Sequence, residues 1–291
     1  MQLLPFLLVL ISAVTHGVWN FLAKRGRNKD VFIGLSKIGE TTVFFVPFLI
    51  VFSITGFGSG DWYFFVLMAA VFVFLNYLFL SQAYKHIEFS AAYPISRSST
   101  LFLPLLGFVF LGERLDWIGM LSVILITVAV LVIQMEAFSK DEVQKIYQQM
   151  ARPGIIFALL AAFMVASYTI WDKLAVMQLQ PFLYFYGYTA VTSLFYSILL
   201  AARYSKTEIH QEWQENKKSI IAVALLNTFT YLLVLVALSV SKATYVGALR
   251  QLSLVVGVFL GWKYLQESLP GPKIISVVLL ITGSVLIAFA R

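Results

Sequence analysis

The 291-residue sequence has no cysteine and few charged residues. Without cysteine, a disulfide framework, a thiolate nucleophile and a thiolate metal site are all excluded. Charged residues make up 12% of the chain, whereas about 25% is usual in a soluble domain. Hydrophobic residues make up 60%. This composition excludes a water-soluble domain and indicates a chain that lies in lipid.

Motifs for catalysis and for nucleic-acid binding are also missing. The three histidines are scattered without zinc-ligand spacing, and the sequence has neither a phosphate-binding loop nor a nucleophile elbow. The 21 Lys and Arg residues separate apolar runs instead of forming a basic face. We therefore expect no enzymatic activity, no metal, no other cofactor and no nucleic-acid partner.

Ten apolar segments, bounded by charge, Gly or Pro, follow one another along the chain. Each is long enough to cross a bilayer as a helix, and all are too continuously apolar for the alternating strands of an outer-membrane barrel. The predicted fold is therefore an all-α integral membrane protein with ten transmembrane helices. The segments are residues 3–23, 31–55, 62–84, 90–111, 117–135, 153–177, 182–203, 219–239, 244–264 and 273–290.

The chain contains an internal repeat. Two connections are long and polar, 136–152 and 204–218, and the first of them divides the chain into residues 1–135 and 153–291, with five segments each. Because five is odd, the two repeats enter the membrane in opposite directions, as in many secondary transporters that bind substrate between the halves. Aligned pairs include Trp19 with Trp171, Asn20 with Asp172, Tyr93 with Tyr245, Gly107 with Gly261 and Glu113 with Glu267, while Arg97 falls within one residue of Arg250.

The arrangement of five plus five helices resembles the EamA branch of the drug/metabolite transporter superfamily. The Trp near the end of the first segment and the sequence Leu111, Gly112 and Glu113 closing the fourth segment match this family; the second half has Leu265, Gln266 and Glu267 instead. The resemblance implies a transporter without an ATPase. It also implies a central cavity lined by the first, third, fourth, sixth, eighth and ninth helices, with the fifth and tenth at the periphery.

The cationic residues are distributed unevenly between the two ends of the segments. Most lie in the connections after the odd-numbered segments, and few lie on the other side. An excess of Lys and Arg marks cytoplasmic loops, so both termini are expected outside, although the family resemblance favours termini in the cytoplasm. We expect the protein in a bacterial inner (cell) membrane.

Four charged residues lie inside segments, where a charge costs roughly 2.5–3.5 kcal/mol on insertion scales. Lys37 and Glu40 can share one helix face. They either neutralise each other, or Glu40 is a titratable group for proton coupling. Arg97 and Arg250 suit a carboxylate or phosphate, which a guanidinium grips with two hydrogen bonds. Alternatively they cap helix ends, bind lipid phosphate or pair with acidic residues.

Other polar and aromatic residues complete the candidate substrate site. We expect Ser98, Gln251, Asn76, Tyr77, Tyr231, Tyr93 and Tyr245 to contact substrate, and Trp19 with Trp171 to form cavity walls or gates, although paired aromatics are also common in helix packing. His16 and Asp172 join Glu40 as candidates for coupling to a proton. His16 has a second interpretation as a hydrogen-bonded packing residue.

These features predict secondary active transport of a small organic solute by alternating access. Because cations outnumber acids at the predicted cavity, the solute is expected to be anionic or zwitterionic, such as an amino acid, a carboxylate or a phosphorylated metabolite. Two alternatives stay open. One is a lipid or polyprenyl-phosphate-sugar flippase, and the other is a membrane scaffold that does not transport. The sequence leaves the coupling ion and the oligomeric state open.

Overall fold

A computed structural model describes residues 1–23, 26–58, 60–87, 95–133, 135, 137–139, 144 and 153–290. Its regular elements in this part of the chain are all helical, which agrees with the predicted class. The α-helices are α1 (Leu3–Ala23), α2 (Lys29–Val43), α3 (Phe45–Thr55), α4 (Trp62–His86), α5 (Leu103–Leu111), α6 (Trp117–Val132), α7 (Pro153–Val176), α8 (Pro181–Arg203), α9 (Lys206–Val240), α10 (Ala243–Leu249), α11 (Ser253–Leu265) and α12 (Gly271–Phe289). Short 3₁₀ helices occupy Ser98–Leu101 and Arg250–Leu252.

Seven of the described helical stretches are long and apolar enough to cross a membrane. One of them is Ala243–Leu265, which runs through α10, the 3₁₀ turn and α11. The pair α2 and α3, bent by 50°, would make an eighth span. The fifth predicted segment is shorter here, since α6 has 16 residues. The fourth predicted segment begins outside the described residues, and its described part contains the 3₁₀ turn and the 9 residues of α5. The protein is an integral membrane protein, and the count of ten spans stays a prediction.

Most of the polar connection 204–218 is helical, so the helix that contains the eighth apolar segment starts earlier than the predicted residue 219. Helix α9 begins at Lys206 and runs for 35 residues. Ser205 accepts a hydrogen bond from the Glu208 backbone N–H, and the Glu208 carboxylate accepts one from the Ser205 N–H. This capping box satisfies donors that a helix start leaves unpaired. Local capping thus decides the helix start, which a search for apolar residues misses. The other connection, 136–152, lies mostly outside the described residues.

The two halves of the chain pack against each other at equivalent positions. Helix α1 packs against α9 and α11, and α4 packs against α7 and α8. In the repeat, the pair α1 with α9 is equivalent to the pair α7 with α4. Helices α6 and α12, which end the two halves, pack together. The amino group of Met1 bonds to the carbonyl of Ile287 at 3.3 Å, so both termini lie at the same end of the bundle.

The fourth and ninth segments each change from one helix type to another near their middle. In the fourth segment Arg97 precedes the 3₁₀ turn Ser98–Leu101, and in the ninth Arg250 begins the turn Arg250–Leu252. A 3₁₀ turn within a longer helix often marks a functional site or a strained sequence. The repeat therefore places both arginines at breaks in equivalent helices.

Candidate functional site

A cavity of about 530 Å³ lies between the two halves of the chain. Its size is in the usual range for a small-molecule site. Residues from α1, α2, α4, α7, α8 and α9 line it, together with residues around both 3₁₀ turns. Its polar lining includes His16, Trp19, Asn20, Ser36, Lys37, Glu40, Asn76, Tyr77, Ser96, Arg97, Ser99, Tyr168, Tyr188, Asn227, Tyr231, Arg250, Gln251 and Ser253.

The two arginines of the sequence prediction both line this cavity. The Nη1 atom of Arg97 lies 3.2 Å from Nε2 of His16, and its Nη2 atom donates to Oδ1 of Asn20 at 3.3 Å. The guanidinium of Arg250 lies over the ring of Tyr231, 5.2 Å from its centroid, and close to Tyr168. His16 is within electrostatic range of both guanidinium groups. Two fixed positive charges therefore face one cavity.

The buried acid and base of α2 form an ion pair in the cavity wall. The Lys37 ammonium lies 3.1 Å from Oε2 of Glu40, and both side chains are almost fully buried. Asn227 of α9 donates to the other carboxylate oxygen, Oε1, at 2.9 Å. Glu40 thus has both a cation and an amide donor. The first of the two sequence interpretations, mutual neutralisation, describes this contact, while a coupling role for Glu40 stays a prediction.

Asp172 lies buried near the C-terminal end of α7, outside the cavity lining. Its carboxylate accepts a hydrogen bond from the hydroxyl of Tyr184 at 2.7 Å and another from the hydroxyl of Tyr231. Asp172 is 1% exposed and does not line the cavity, whereas Tyr231 does. The contacts join α7, α8 and α9 around one carboxylate.

The other predicted contact residues are divided between the cavity and the protein core. Trp19, Asn76, Tyr77 and Gln251 line the cavity, and the indole N–H of Trp19 has no hydrogen-bond partner in the part of the chain that the structure describes. Asn76 also donates to the carbonyl of Ala161 at 2.9 Å. An unsatisfied buried donor is rare, so Trp19 has capacity for an acceptor that enters the cavity.

Three predicted contact residues lie away from the cavity. Trp171 packs against phenylalanines of α4 and donates to the carbonyl of Phe65 at 2.9 Å. The hydroxyl of Tyr245 bonds to Asp116 at 3.1 Å, and Ser98 donates to the carbonyl of Ile95 at 2.6 Å. Tyr93 lies outside the described residues. The equivalence of Trp19 and Trp171 in the repeat therefore does not extend to their surroundings.

Several lining residues lie outside the set of predicted substrate contacts. The family resemblance did not place the second segment at the cavity, yet Ser36, Lys37 and Glu40 line it. Asn227 and Tyr188 are also part of the wall. An isolated amide such as Asn227 in an apolar helix is a usable signal, because buried amides need partners. Tyr188 carries no such signal among the fourteen tyrosines of the chain.

The cavity reaches one end of the bundle. Ala23 and Lys29, on either side of the first connection, line it, and so do Glu267 and Lys273 beside the last connection. This is the end at which most Lys and Arg residues of the connections lie. Within the described ranges, the cavity lining includes no residue of the connections at the opposite end.

Hydrogen bonds join the two halves at that opposite end. The carboxylate of Glu113 accepts bonds from the backbone N–H groups of Ala243 and Thr244 and from the Thr244 hydroxyl, the last at 2.7 Å. The N–H of Gln180 donates to the carbonyl of Phe57 at 3.3 Å. Each of these contacts pairs a residue of the first half with one of the second. They hold the halves together on the side away from the cavity entrance.

Comparison with known proteins gives a family match over nearly the whole chain. The sequence profile of the EamA-like transporter family matches residues 3–135 and, separately, residues 152–289. No curated protein matches the sequence significantly. One solved structure, described only as a crystal structure of a protein, has a TM-score of 0.74 and 14% identity, with 97% of each chain covered. At that identity the likeness shows the fold alone.

Proposed function

Because the chain belongs to the EamA-like transporter family, part of the drug/metabolite transporter superfamily, we propose that it carries a small anionic or zwitterionic organic solute across the membrane by alternating access. The observation that supports this most directly is the pair Arg97 and Arg250, which face one cavity from equivalent positions of the two halves. A guanidinium binds a carboxylate or phosphate through two parallel hydrogen bonds. The indole N–H of Trp19, which has no hydrogen-bond partner among the described residues, supplies a further donor.

The asymmetry between the two ends of the bundle supports alternating access. Inverted-repeat transporters bind substrate between their halves and open to one side at a time. Here the cavity reaches the end rich in Lys and Arg, and inter-half hydrogen bonds join the other end. By the positive-inside rule the open end is cytoplasmic and both termini are outside. The proposed location is a bacterial inner membrane.

A thermal-shift screen tests the solute class. The purified protein would be heated with amino acids, dicarboxylates and phosphorylated sugars, and with neutral and cationic compounds of similar size. A bound ligand raises the unfolding temperature by mass action, so anionic and zwitterionic members should give the largest shifts. Stabilisation by the cationic compounds alone would contradict the proposal.

Substitution of either arginine should weaken the binding of the compounds that stabilise the wild type. A hydrogen bond to a charged group contributes about 1.5–3 kcal/mol, so Arg97→Ala and Arg250→Ala should each raise Kd by roughly tenfold to hundredfold. Lys263→Ala is a matched control, because Lys263 is an exposed cation of α11 that does not line the cavity. Unchanged affinity in both arginine variants would remove the electrostatic basis of the proposal.

Flux measurements in proteoliposomes separate the remaining alternatives. Uptake of a stabilising solute supports a transporter, and its complete absence with every stabilising solute favours a scaffold. Movement of labelled lipid headgroups between leaflets without solute uptake favours a flippase, which would use the same arginines for a phosphate group.

A further inference from the structure

Tyr231 connects the cavity with the buried carboxylate of Asp172. Its ring lines the cavity and lies beneath the guanidinium of Arg250, while its hydroxyl donates to Asp172. Asp172 is held from the other side by the hydroxyl of Tyr184 at 2.7 Å. Protonation or ionisation of Asp172 therefore affects Tyr231, which lines the cavity and contacts the guanidinium of Arg250.

The hydrogen-bond partners of Asp172 differ from those of the other two coupling candidates. Glu40 is paired with the Lys37 ammonium at 3.1 Å, so its protonation breaks an ion pair. His16 lies 3.2 Å from the Arg97 guanidinium, and a second positive charge there would be repelled. The hydrogen-bonding partners of Asp172 are hydroxyl groups, which donate or accept as required. A proton on Asp172 needs only the rotation of a hydroxyl.

Asp172 has no titratable counterpart at the equivalent position of the first half. Its equivalent in the first half is Asn20, an amide that does not titrate and that accepts a bond directly from Arg97 at 3.3 Å. In the second half, the tyrosine Tyr231 lies between the carboxylate and the equivalent arginine, Arg250. The two arginines thus share a position in the repeat, but only the second has a titratable acid in the corresponding place.

On the basis of the proposed transport function, we infer that Asp172 is the proton-coupling carboxylate, and that it exchanges its proton with the cavity through Tyr231. In this step Tyr231 transfers its hydroxyl proton to Oδ2 of Asp172 and takes one proton from hydronium in the cavity, so that one proton moves inward and one water molecule is released. The carboxyl group then carries an O–H donor, and one of its two tyrosines has to accept instead of donating.

Protonation of Asp172 changes the electrostatics around Arg250. The ionised carboxylate attracts the Arg250 guanidinium. Protonation of Asp172 removes this attraction, so the guanidinium binds an anionic solute more strongly. Proton and solute then each favour the binding of the other, as linkage between two sites requires. The change in hydrogen bonding of the Tyr231 hydroxyl also alters the cavity wall, because Tyr231 lines it.

The groups that face Asp172 are mostly uncharged. Tyrosine hydroxyls are neutral at ordinary pH, and the ammonium of the neighbouring Lys173 donates to the carbonyl of Leu238 at 2.6 Å. Helix α4, which also packs against α7, presents phenylalanines to the adjacent Trp171. In the described part of the chain, the titratable and charged groups facing Asp172 are Tyr184 and Tyr188 on α8, Tyr231 on α9 and Arg250, with Tyr168 one turn away on α7.

Infrared difference spectroscopy of the full chain in lipid vesicles tests this inference with the proton as the only ligand. Acidification should produce the carbonyl band of a protonated carboxyl group in the wild type. Asp172→Asn should lose that band, and Asp172→Glu should retain it at a shifted frequency. The double variant Lys37→Met with Glu40→Gln should keep the band, because it removes the buried carboxylate that lines the cavity together with its cationic partner and leaves Asp172 in place.

The rate at which the carboxyl band appears separates a proton path from a structural contact. After a rapid drop in pH, Tyr231→Phe should delay the band, because phenylalanine has no hydroxyl to relay the proton, whereas Tyr186→Phe should keep the wild-type rate because Tyr186 bonds to the carbonyl of Thr41. An unchanged rate in Tyr231→Phe excludes the path through Tyr231. Persistence of the carboxyl band in folded Asp172→Asn overturns the inference, and so does absence of the band from both the wild type and Asp172→Glu. These spectra need no solute, so a failure of the transport proposal shows separately as absent flux.

Discussion

At the residue scale, the ion pair of Lys37 and Glu40 shows how a charge is accommodated inside this protein. Their spacing of three residues on one helix predicts a shared face, and the structure brings the charges to 3.1 Å. Asn227, from a helix of the other half, completes the carboxylate's hydrogen bonding. The pair therefore belongs to the contact between α2 and α9 as well as to the cavity wall.

Removing one member of this pair should cost more than removing both. Lys37→Met or Glu40→Gln alone leaves one polar or charged group without its partner, and breaking a buried pair costs up to about 3–5 kcal/mol. The double variant replaces the pair with neutral side chains and should recover most of the lost thermal stability. The unfolding temperatures of the wild type, the two single variants and the double variant, measured in one detergent, give this double-mutant cycle. Additive losses in the double variant would show that the two side chains do not interact.

At the element scale, α5 and α11 end in the same left-handed turn, although the residue at that turn differs between the two halves. Gly112 has φ of 64°, and Gln266, which replaces it in the second half, has φ of 55°. In both halves the following glutamate N–H bonds back to a glycine carbonyl, Gly107 at 3.0 Å and Gly261 at 3.3 Å. The departure of Gln266 from the family pattern is therefore accommodated without a change in the turn.

Exchange of these two turn residues should change stability in opposite directions. The left-handed region costs a residue with a Cβ atom about 1–2 kcal/mol, and glycine is the usual residue at such a helix end. Gln266→Gly should therefore stabilise the protein by about 1 kcal/mol, and Gly112→Gln should destabilise it by a similar amount. Among the described residues, no heavy atom lies within 4 Å of a Cβ added at Gly112, so the backbone conformation dominates the change in stability. Thermal unfolding of both variants beside the wild type shows whether the first change raises the unfolding temperature and the second lowers it.

At the scale of the whole molecule, the two related glutamates lie at opposite ends of the bundle. Glu113 bonds across the halves to the start of α10, whereas Glu267 lines the cavity and lies 3.8 Å from Lys273. Charge-assisted bonds such as those of Glu113 are among the stronger hydrogen bonds in proteins. The contact network therefore favours the arrangement in which only the Lys- and Arg-rich end is open.

Weakening the Glu113 contacts should open the other end. Because the chain lacks cysteine, a single Leu179→Cys substitution gives one labelling site, at a residue that is 3% exposed and paired with Gly58 at that end. Glu113→Gln should raise its labelling rate by a membrane-impermeant maleimide several-fold, since each lost bond to the charged group is worth about 1.5–3 kcal/mol. Glu267→Gln is the matched control and should not raise it. Equal labelling rates in Leu179→Cys alone, with Glu113→Gln and with Glu267→Gln would exclude a role for Glu113 in closing this end.

Several features of this architecture could be predicted from the sequence alone. The composition and the apolar segments predict the membrane location and the helical class, and the bounds of α1 agree with the segment 3–23. The internal repeat predicts that Arg97 and Arg250 occupy equivalent positions in the two halves. These properties are local, since they depend on runs of neighbouring residues and on patterns that recur along the chain.

The surroundings of individual side chains were decided by the tertiary structure. Trp19 lines the cavity while its equivalent Trp171 packs in the core, and Asp172 meets its tyrosines only through the packing of α7, α8 and α9. In a soluble helix, an apolar stripe shows which face turns inward. In a membrane helix the lipid-facing and protein-facing sides are both apolar. The sequence by itself therefore determined the helical class and the apolar segments, and only tertiary packing decided which residues face the cavity.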